Sequence, residues 1–328
     1  MRIGLIGFGF MGGVHLSAIE RMDGATVSAV SSRTRPAADA PARGNLPQLE
    51  RSVLPADAKW YPDWRELLQN SADVDAVDIC LPTHLHKEVA LSALERGLHV
   101  LCEKPMALTT SDCDEMLNAA DKSGRIFMVG QVLRFMFPYR YAGSFVDSIG
   151  RDSVRSCVMR RKTGYPKWSE WLSNEKNSGG AILDLLSHDI DQALKLFGRP
   201  VSVSAVTDGG IDTMLGLMHC SSGLNVQIEG GWYEPELPFS AGFAIKGNDT
   251  ALTFEDGKLQ LNLHGDQQAV DIPEHQEYFD QIAYFVDCCR QNTAPALCPP
   301  AESAHAVELA NLLKASREQN GKELLCAI

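Results

Sequence analysis

The feature that most constrains this chain is a glycine-rich turn that follows its first apolar run. Residues 2–7, RIGLIG, have the short apolar pattern of a buried parallel strand. A GxGxxG pattern comes next, formed by Gly7, Phe8, Gly9, Phe10, Met11 and Gly12. A stretch with helical periodicity follows it. Between a strand and a helix, such glycines let a pyrophosphate approach the backbone, so a dinucleotide site is favoured over a purely structural turn.

The end of the second predicted strand bears on which dinucleotide binds. Residues 25–33, ATVSAVSSR, end about 20 residues after the glycines, where NAD-binding chains usually carry an acid for the ribose 2′-hydroxyl. Ser32, Arg33 and Thr34 stand there instead. A guanidinium and hydroxyls suit a 2′-phosphate, so we predict that these three residues bind the cofactor and that NADP is preferred to NAD. The alternative is a solvated arginine in a loop.

Strands and helices go on alternating through the first 130 residues. The next strands are predicted at 73–82, 99–105 and 125–131. Ser111, with Asp114 three residues on, is the predicted cap of a helix that runs to Gly124. Residues 35–60 are predicted to be a long irregular connection. The alternation predicts a doubly wound parallel sheet, the Rossmann type of α/β fold.

Ligands of such sheets bind outside the carboxyl ends of the strands. The glycine turn, residues 31–33, residues 82–86 and residues 103–105 all fall at that edge. Lys104 is therefore expected at the rim where a nicotinamide ring would lie. A surface lysine paired with Glu103 is the alternative.

The second half of the chain is rich in short β-type runs. They lie at 153–162, 201–207, 213–221, 224–233, 241–247, 250–256 and 258–263. Hairpin turns are predicted at 221–223 and 255–257. Strands that follow one another without helices predict a large, open, mostly antiparallel sheet. We therefore divide the chain into a dinucleotide-binding domain, 1–130, and a substrate-binding and oligomerisation α/β domain, 131–328, whose C-terminal helix at about 300–318 is a candidate to pack back on the first.

One helix is predicted after Gly180, ahead of most of these strands. Its apolar stripe comprises Leu183, Leu186, Ile190, Leu194 and Phe197. Asp184, His188 and Asp191 follow at i, i+4 and i+7 on a neighbouring stripe. An aspartate one turn from a histidine can fix its tautomer and raise its basicity, as a general base requires. The alternative is a solvated face, which Lys195 supports.

Three aromatic residues precede this helix. Tyr165, Trp168 and Trp171 can stack on a sugar ring or fill a core, and the core is the commoner use.

Charge and cysteine content exclude several classes of function. A net charge of −12 over 328 residues argues against binding nucleic acid or an anionic membrane surface. Nine cysteines without a CxxC pattern indicate reduced thiols in the cytoplasm, and no metal is expected. Glycines interrupt the opening apolar run and no small-residue cleavage site follows, so it is interpreted as folded rather than as a targeting segment.

Three motifs in order resemble the Gfo/Idh/MocA family of oxidoreductases: the GxGxxG turn, the EKP of residues 103–105, and the GG…D…H helix. The resemblance covers essentially the whole chain. It implies a Rossmann domain followed by an α/β domain with an open sheet. It also implies an NAD(P)-dependent dehydrogenase or reductase acting on a sugar, inositol or related polyol, assembled as a homodimer or homotetramer through that sheet.

The resemblance also implies site residues. Lys104, Asp184 and His188 match the family's catalytic positions, where histidine takes the hydroxyl proton while lysine and aspartate hold and polarise the substrate. The peptide before Pro105 is often cis in this motif. Residues 82–86 resemble the nicotinamide-side loop, although Thr83 stands where the family usually has asparagine.

The cofactor-binding residues implied by the resemblance and the strand ends are Pro82, Thr83, His86, Glu103 and Lys104, besides the glycine turn and residues 32–34. Two alternatives stay open: a non-catalytic dinucleotide-binding regulator, and an NAD-dependent glycoside hydrolase of the same fold, which would return its cofactor unchanged.

Overall fold

The computed structural model describes residues 1–35, 54–274 and 276–326, and the chain forms two compact units. Unit 1 comprises Met1–Val132 and Gln276–Ala304, and unit 2 comprises Leu133–His275 and His305–Ile328. The first division lies two residues from the boundary predicted from sequence. Residues 276–304, in contrast, belong to unit 1 and not with the rest of 131–328.

Unit 1 is built on a six-stranded parallel sheet with strand order β3-β2-β1-β4-β5-β6. Its elements up to residue 132 are β1 (Arg2–Ile6), α1 (Phe10–Glu20), β2 (Thr26–Ser31), β3 (Lys59–Tyr61), α2 (Trp64–Gln69), β4 (Ala76–Ile79), α3 (His86–Glu95), β5 (His99–Cys102), α4 (Thr110–Ser123) and β6 (Phe127–Val129). The strands β4, β5 and β6 are buried along their whole length, as both faces of a doubly wound sheet are covered. The predicted Rossmann architecture is confirmed.

Two local predictions in unit 1 differ from the structure at the boundary of an element. The connection predicted at 35–60 contains the start of β3, which pairs with β2 in the sheet; residues 36–53 lie outside the described part of the chain. Helix α4 is capped by Thr109 and not by Ser111, because the Thr109 hydroxyl accepts the Asp112 N–H at 3.1 Å.

Unit 2 is built on a nine-stranded sheet. Its elements up to residue 270 are α5 (Phe137–Ile149), β7 (Ser156–Gly164), α6 (Glu170–Ser173), α7 (Glu175–Ser178), α8 (Gly180–Asp184), α9 (Ser187–Phe197), β8 (Ser202–Val206), β9 (Asp212–His219), β10 (Asn225–Tyr233), β11 (Ser240–Lys246), β12 (Thr250–Glu255), β13 (Lys258–Leu263) and β14 (Asp266–Val270). The remaining elements of the chain are α10 (Glu277–Gln291), α11 (Pro300–Glu318) and β15 (Leu324–Leu325).

The strand order in this second sheet is β14-β13-β12-β11-β7-β10-β9-β8-β15. Only β7 and β10 pair in parallel among its described neighbours, so the prediction of a mostly antiparallel sheet is confirmed. One face is buried within the unit, through side chains such as Met159 and Ile228. The opposite face carries Leu215, 37% exposed, together with polar side chains such as Arg160.

The placement of α10 explains why residues 276–304 belong to unit 1. The Arg21 guanidinium, just after α1, lies 5.0 Å from the centre of the Phe279 ring and donates to the Gln276 side chain at 3.3 Å. Further along α10, Arg290 donates to the Gly24 carbonyl at 2.7 Å. These contacts join two segments more than 250 residues apart, which local sequence patterns do not reveal.

The helix predicted after Gly180 is two helices, α8 and α9. The Ala181 carbonyl accepts both the Leu185 N–H at 2.9 Å and the Leu186 N–H at 3.0 Å, so one turn is widened by a residue. Leu183, Leu186, Ile190 and Leu194 are buried as predicted. Across the described residues, no helix is both long and apolar enough to cross a membrane.

Candidate active site

The glycine turn at the end of β1 leaves room for a phosphate group. Gly7 has φ +98°, and a Cβ there would lie 2.4 Å from the Cys80 carbonyl oxygen. A Cβ on Gly12 would lie 2.2 Å from the Gly7 oxygen, so both positions require glycine. At Gly9 a Cβ would meet nothing within 4 Å. Gly9 also precedes α1 without a side-chain cap, so open space adjoins the first backbone N–H groups of a helix, and the turn fits a dinucleotide pyrophosphate.

The predicted 2′-phosphate residues lie together after β2. The Ser32 hydroxyl donates to the Thr34 carbonyl at 2.8 Å and accepts the Trp60 indole N–H at 3.1 Å. Ser32 therefore shapes the loop. The side chains of Arg33 and Thr34 are exposed, and no acidic side chain stands among residues 31–34.

The loop after β4 is tied to the loop after β5 by His86. Its ring nitrogens lie 3.0 Å from the Pro105 carbonyl oxygen and 2.8 Å from the Leu81 carbonyl oxygen. Thr83, in a short 3-10 turn, and His86 are both buried. His86 thus holds the two loops together, while its predicted contact with a cofactor stays a prediction.

Lys104 stands at a sharp corner where β5 ends. The Lys104–Pro105 peptide is cis, as the resemblance implies. Lys104 is half-buried, and its backbone N–H donates to the Glu103 Oε2 at 3.1 Å. The corner therefore presents Lys104 at the predicted strand edge and holds Glu103 inward, where it is buried.

A buried ionic cluster lies behind this corner, and the sequence reading assigned no role to two of its members, His15 and Asp78. The His15 Nδ1 is 2.9 Å from the Asp78 Oδ2, and its Nε2 is 3.0 Å from the Glu103 Oε1. His15 is fully buried in α1, and Asp78 is buried in β4. An aspartate inside an apolar run of a strand is seldom buried without a partner, and this is the signal in the sequence that could have revealed the cluster.

The surroundings of the ring favour its charged form. A neutral imidazole has one N–H donor, but both His15 nitrogens face carboxylates, which accept only. Burial lowers the pKa of His15, yet the charge of Asp78 and its hydrogen bond to the ring raise it more, and it stands well above 6.5. Burial raises the pKa of Glu103, while the hydrogen bond and charge of His15 and the charge of Lys104 bring it below its ordinary value.

One group within the described ranges has the composition of a metal site. The His15, Asp78 and Cys80 ligand atoms lie within 4.8 Å of one another. Burial and the charge of Asp78 raise the pKa of the Cys80 thiol to about 12. The thiol therefore keeps its proton and donates to Asp78 Oδ1 at 3.6 Å, which favours a hydrogen-bonded cluster over a metal site.

In unit 2, Asp184 ends α8 and His188 lies in the first turn of α9, both half-buried. The widened turn between them means that the predicted i, i+4 relation on one continuous helix is wrong. Asp191, predicted on the same stripe, is buried in an ion pair with Arg134 at 2.6 Å. The alternative of a solvated face is also wrong for Asp191.

The predicted aromatic segment divides in two. Tyr165 meets the Trp232 ring edge-on at 5.8 Å and donates its hydroxyl to the Ser173 carbonyl at 3.1 Å. Trp171 packs on the same apolar cluster. Trp168 is 63% exposed, so it does not fill a core within the unit.

A parallel sheet with a phosphate-sized glycine turn, followed by an open sheet, defines a two-domain dinucleotide-binding protein. Residues 1–131 match the family model described as the oxidoreductase family with an NAD-binding Rossmann fold. Residues 147–259 match the model of the GFO/IDH/MocA C-terminal domain. The chain belongs to the Gfo/Idh/MocA family of oxidoreductases.

Relatives of known function cover parts of the chain. It is 33% identical over 152 residues to 2,7-anhydro-N-acetylneuraminate hydratase of Mediterraneibacter gnavus, covering 44% of this chain and 39% of the relative. It is 29% identical over 213 residues to myo-inositol 2-dehydrogenase of Thermotoga maritima, covering 64% of this chain and 59% of the relative. These matches thus span about half the length of the relatives.

The fold as a whole resembles that of a solved oxidoreductase. The aldose-aldose oxidoreductase of Caulobacter crescentus, in a complex with glycerol, superposes with a TM-score of 0.82 over 99% of both chains at 19% identity. At this identity the likeness shows the shared fold.

Proposed function

We propose that this chain is an NAD(P)-dependent dehydrogenase or reductase that transfers hydride between a nicotinamide cofactor and a secondary alcohol or carbonyl of a sugar, inositol or related polyol. The observation that carries the proposal is that both domain models of one oxidoreductase family match in a single chain. The similarity to a myo-inositol 2-dehydrogenase supports the substrate class.

Each proposed catalytic residue has one task. His188 takes the proton of the substrate hydroxyl, and Asp184 holds the substrate. Lys104, as a cation, stabilises the negative charge that develops on the oxygen as the proton leaves. A bound nicotinamide supplies the acceptor for the hydride released from the alcohol carbon, which becomes a carbonyl. In the reverse direction His188 returns the proton to the oxygen.

The cofactor is proposed to lie along the carboxyl edge of the parallel sheet. The Gly7–Gly12 turn, whose open side faces no other atoms at Gly9, would hold the pyrophosphate. Exposed Arg33 would hold a 2′-phosphate, which makes NADP the proposed cofactor. Pro82 and Thr83 are proposed for the nicotinamide side.

Two further proposals concern assembly and compartment. The open sheet face, with Leu215 among its exposed side chains, is proposed to join copies of this chain into a dimer or tetramer. Leu215→Arg would then lower the mass measured by light scattering.

All nine cysteines are free thiols, which supports a reducing compartment, the cytoplasm.

A second candidate function follows from the similarity to a hydratase. A hydratase adds water across its substrate, with no net change in oxidation state. If this chain did the same, substrate would be consumed while the amount of reduced nicotinamide stayed constant.

The first experiment follows the absorbance of reduced nicotinamide with NADP⁺ or NAD⁺ over a panel of inositols and aldoses. We expect net reduction by the wild type, loss of it in Lys104→Ala, and full activity in the exposed-surface control Lys122→Ala. Substrate consumption without net reduction would favour the hydratase function or the glycoside hydrolase alternative. Cofactor binding without any conversion would favour the regulator.

A second experiment tests the cofactor preference. In Arg33→Ala we expect NADPH binding to weaken about 10- to 100-fold, because a charge-assisted hydrogen bond contributes about 1.5–3 kcal/mol, while NADH binding barely changes. Arg96→Ala, at the exposed end of α3, is the matched control. Equal weakening for both cofactors would contradict the assignment of Arg33.

A further inference from the structure

The buried cluster of unit 1 connects three separate segments around one ring. His15 comes from α1, Asp78 from β4, and Glu103 from the corner after β5. All three side chains are buried, so their charges are screened little by solvent. A buried charge is tolerated when an opposite charge lies beside it. The His15 ring lies 2.9 Å from the Asp78 carboxylate and 3.0 Å from the Glu103 carboxylate.

Glu103 uses its two oxygens for different partners. Oε1 faces the His15 Nε2 at 3.0 Å, whereas Oε2 accepts the Lys104 backbone N–H at 3.1 Å. The backbone N–H of Glu103 itself donates to the Ile79 carbonyl at 2.9 Å, one residue beyond Asp78 in β4. A continuous series of polar contacts therefore runs from Asp78 through His15 and Glu103 to the backbone of Lys104.

We propose that His15 is a positioning residue for Lys104: clamped between Asp78 and Glu103, its ring fixes the carboxylate that holds the Lys104 backbone at the end of β5. The inference rests on the proposed function only in giving Lys104 a catalytic task. Because His15 lies in the helix that begins at the glycine turn, the same ring joins the phosphate-binding helix to the corner that carries Lys104.

The neighbours of the ring support a fixed position and not a mobile one. The Tyr278 ring of α10 lies 6.2 Å from the His15 ring, centre to centre. Gly130 follows β6, and a Cβ there would lie 3.1 Å from Glu103 Oε1 and 3.3 Å from the amide nitrogen of Gln281 in α10. The end of β6 and α10 therefore enclose Glu103. The ionisable groups around His15 are Asp78, Cys80 and Glu103, with Lys104 beyond Glu103.

The test compares His15→Gln with Glu103→Gln and with the double variant. We expect each single change to lower kcat about 10- to 100-fold, because a misplaced reacting group costs rate. If His15 acts through Glu103, the double variant is no slower than the slower single variant. Multiplying effects would overturn the proposal.

The control removes another buried imidazole from the same unit. His99 begins β5, and its Nδ1 accepts the Ile126 N–H at 2.9 Å, away from the EKP corner. His99→Gln should lower stability without changing kcat. A loss of kcat in His99→Gln equal to that in His15→Gln would mean that general destabilisation, and not positioning, explains the effect.

A readout independent of turnover separates this proposal from the proposed function. The rate at which trinitrobenzenesulfonate modifies Lys104, followed by peptide mass spectrometry, should change several-fold in His15→Gln and stay constant in His99→Gln. An unchanged rate in His15→Gln overturns the positioning role, whether or not the wild type turns over any polyol. If His15→Gln does not fold, Asp78→Asn, which preserves side-chain shape, should change the rate in the same direction.

Discussion

Unit 1 buries its charges around a histidine, whereas unit 2 buries them in arginine–carboxylate pairs. In unit 2 the Arg161 guanidinium donates to Asp189 at 2.7 Å and to the Tyr139 hydroxyl at 3.1 Å, and Arg134 pairs with Asp191 at 2.6 Å. Burial lowers the pKa of Arg161, but Asp189 and Tyr139 raise it more, to above its ordinary value. The arginines therefore stay charged at any working pH, while His15 can lose its charge.

The ion pairs of unit 2 therefore persist at every working pH, whereas those of unit 1 depend on pH. The aspartates of unit 2 alternate with apolar residues along α9, and their pairing secures that helix against α5 and β7 within the unit. The cluster of unit 1 instead adjoins the corner that carries Lys104. Unit 1, whose buried carboxylates meet at a titratable ring, is therefore the unit whose stability should depend on pH.

The largest expected effect comes from breaking a pair in unit 2. Asp189→Ala leaves the buried Arg161 without its carboxylate, which should lower the free energy of unfolding by about 3–5 kcal/mol. Urea unfolding followed by circular dichroism measures this. A loss below about 1 kcal/mol would mean that the buried pair contributes no more than a surface pair.

An intermediate effect is expected from pH acting on unit 1. In the unfolded chain His15 releases its proton near its ordinary pKa of 6.5, but in the folded chain it does so at higher pH. Between those values the folded state binds one proton more, so the free energy of unfolding falls as pH rises, by up to about 1.4 kcal/mol per pH unit. Below pH 6.5 the contribution is complete.

The measurement compares urea unfolding of the wild type and His15→Gln from about pH 6.5 upward. The difference between them should shrink as pH rises, because the variant lacks the ring that loses its proton in the wild type. Glu103, whose pKa is lowered, acts at the acidic end of the pH range. Its contribution to the free energy of unfolding is lost as pH falls below 4.5. Parallel curves for the two proteins would contradict a charged His15.

The smallest effect is expected at the edge of unit 2. Arg199 and Glu308 form an ion pair at 2.9 Å that remains partly exposed. Glu308→Ala should cost at most about 1 kcal/mol, and 1 M salt should reduce that cost because exposed charges are screened. The cost of Asp189→Ala should change little with salt. If both responded equally, burial would not distinguish the two kinds of pair.

Much of the architecture followed from local patterns. The βα alternation predicted the parallel sheet, and the succession of β-type runs predicted the open sheet, because strand and helix periodicity depend on near neighbours in sequence. The Gly7–Gly12 turn and the corner at Lys104 were located for the same reason. The cap of α4 was misplaced by two residues, since Thr109 and Ser111 both have hydroxyls and only the start of the helix decides between them.

Local patterns did not reveal the widened turn that separates Asp184 from His188. A one-residue shift of hydrogen bonding at Ala181 leaves the apolar periodicity almost unchanged, because the leucines on both sides still reach the core. Nor did they show that Asp189 and Asp191 are buried, since a helical aspartate is normally solvated unless a partner from another element meets it.

The sequence by itself determined the two sheet types, the glycine turn and the place of Lys104 at a strand end, because each depends on residues close together in the chain. Only the tertiary structure decided that His15, Asp78 and Glu103 form one cluster, that α10 packs on α1, and that two arginines neutralise the aspartates of α9. The physical reason is that a buried charge is tolerated only beside its counter-charge, and folding alone brings partners from distant segments within 3 Å of each other.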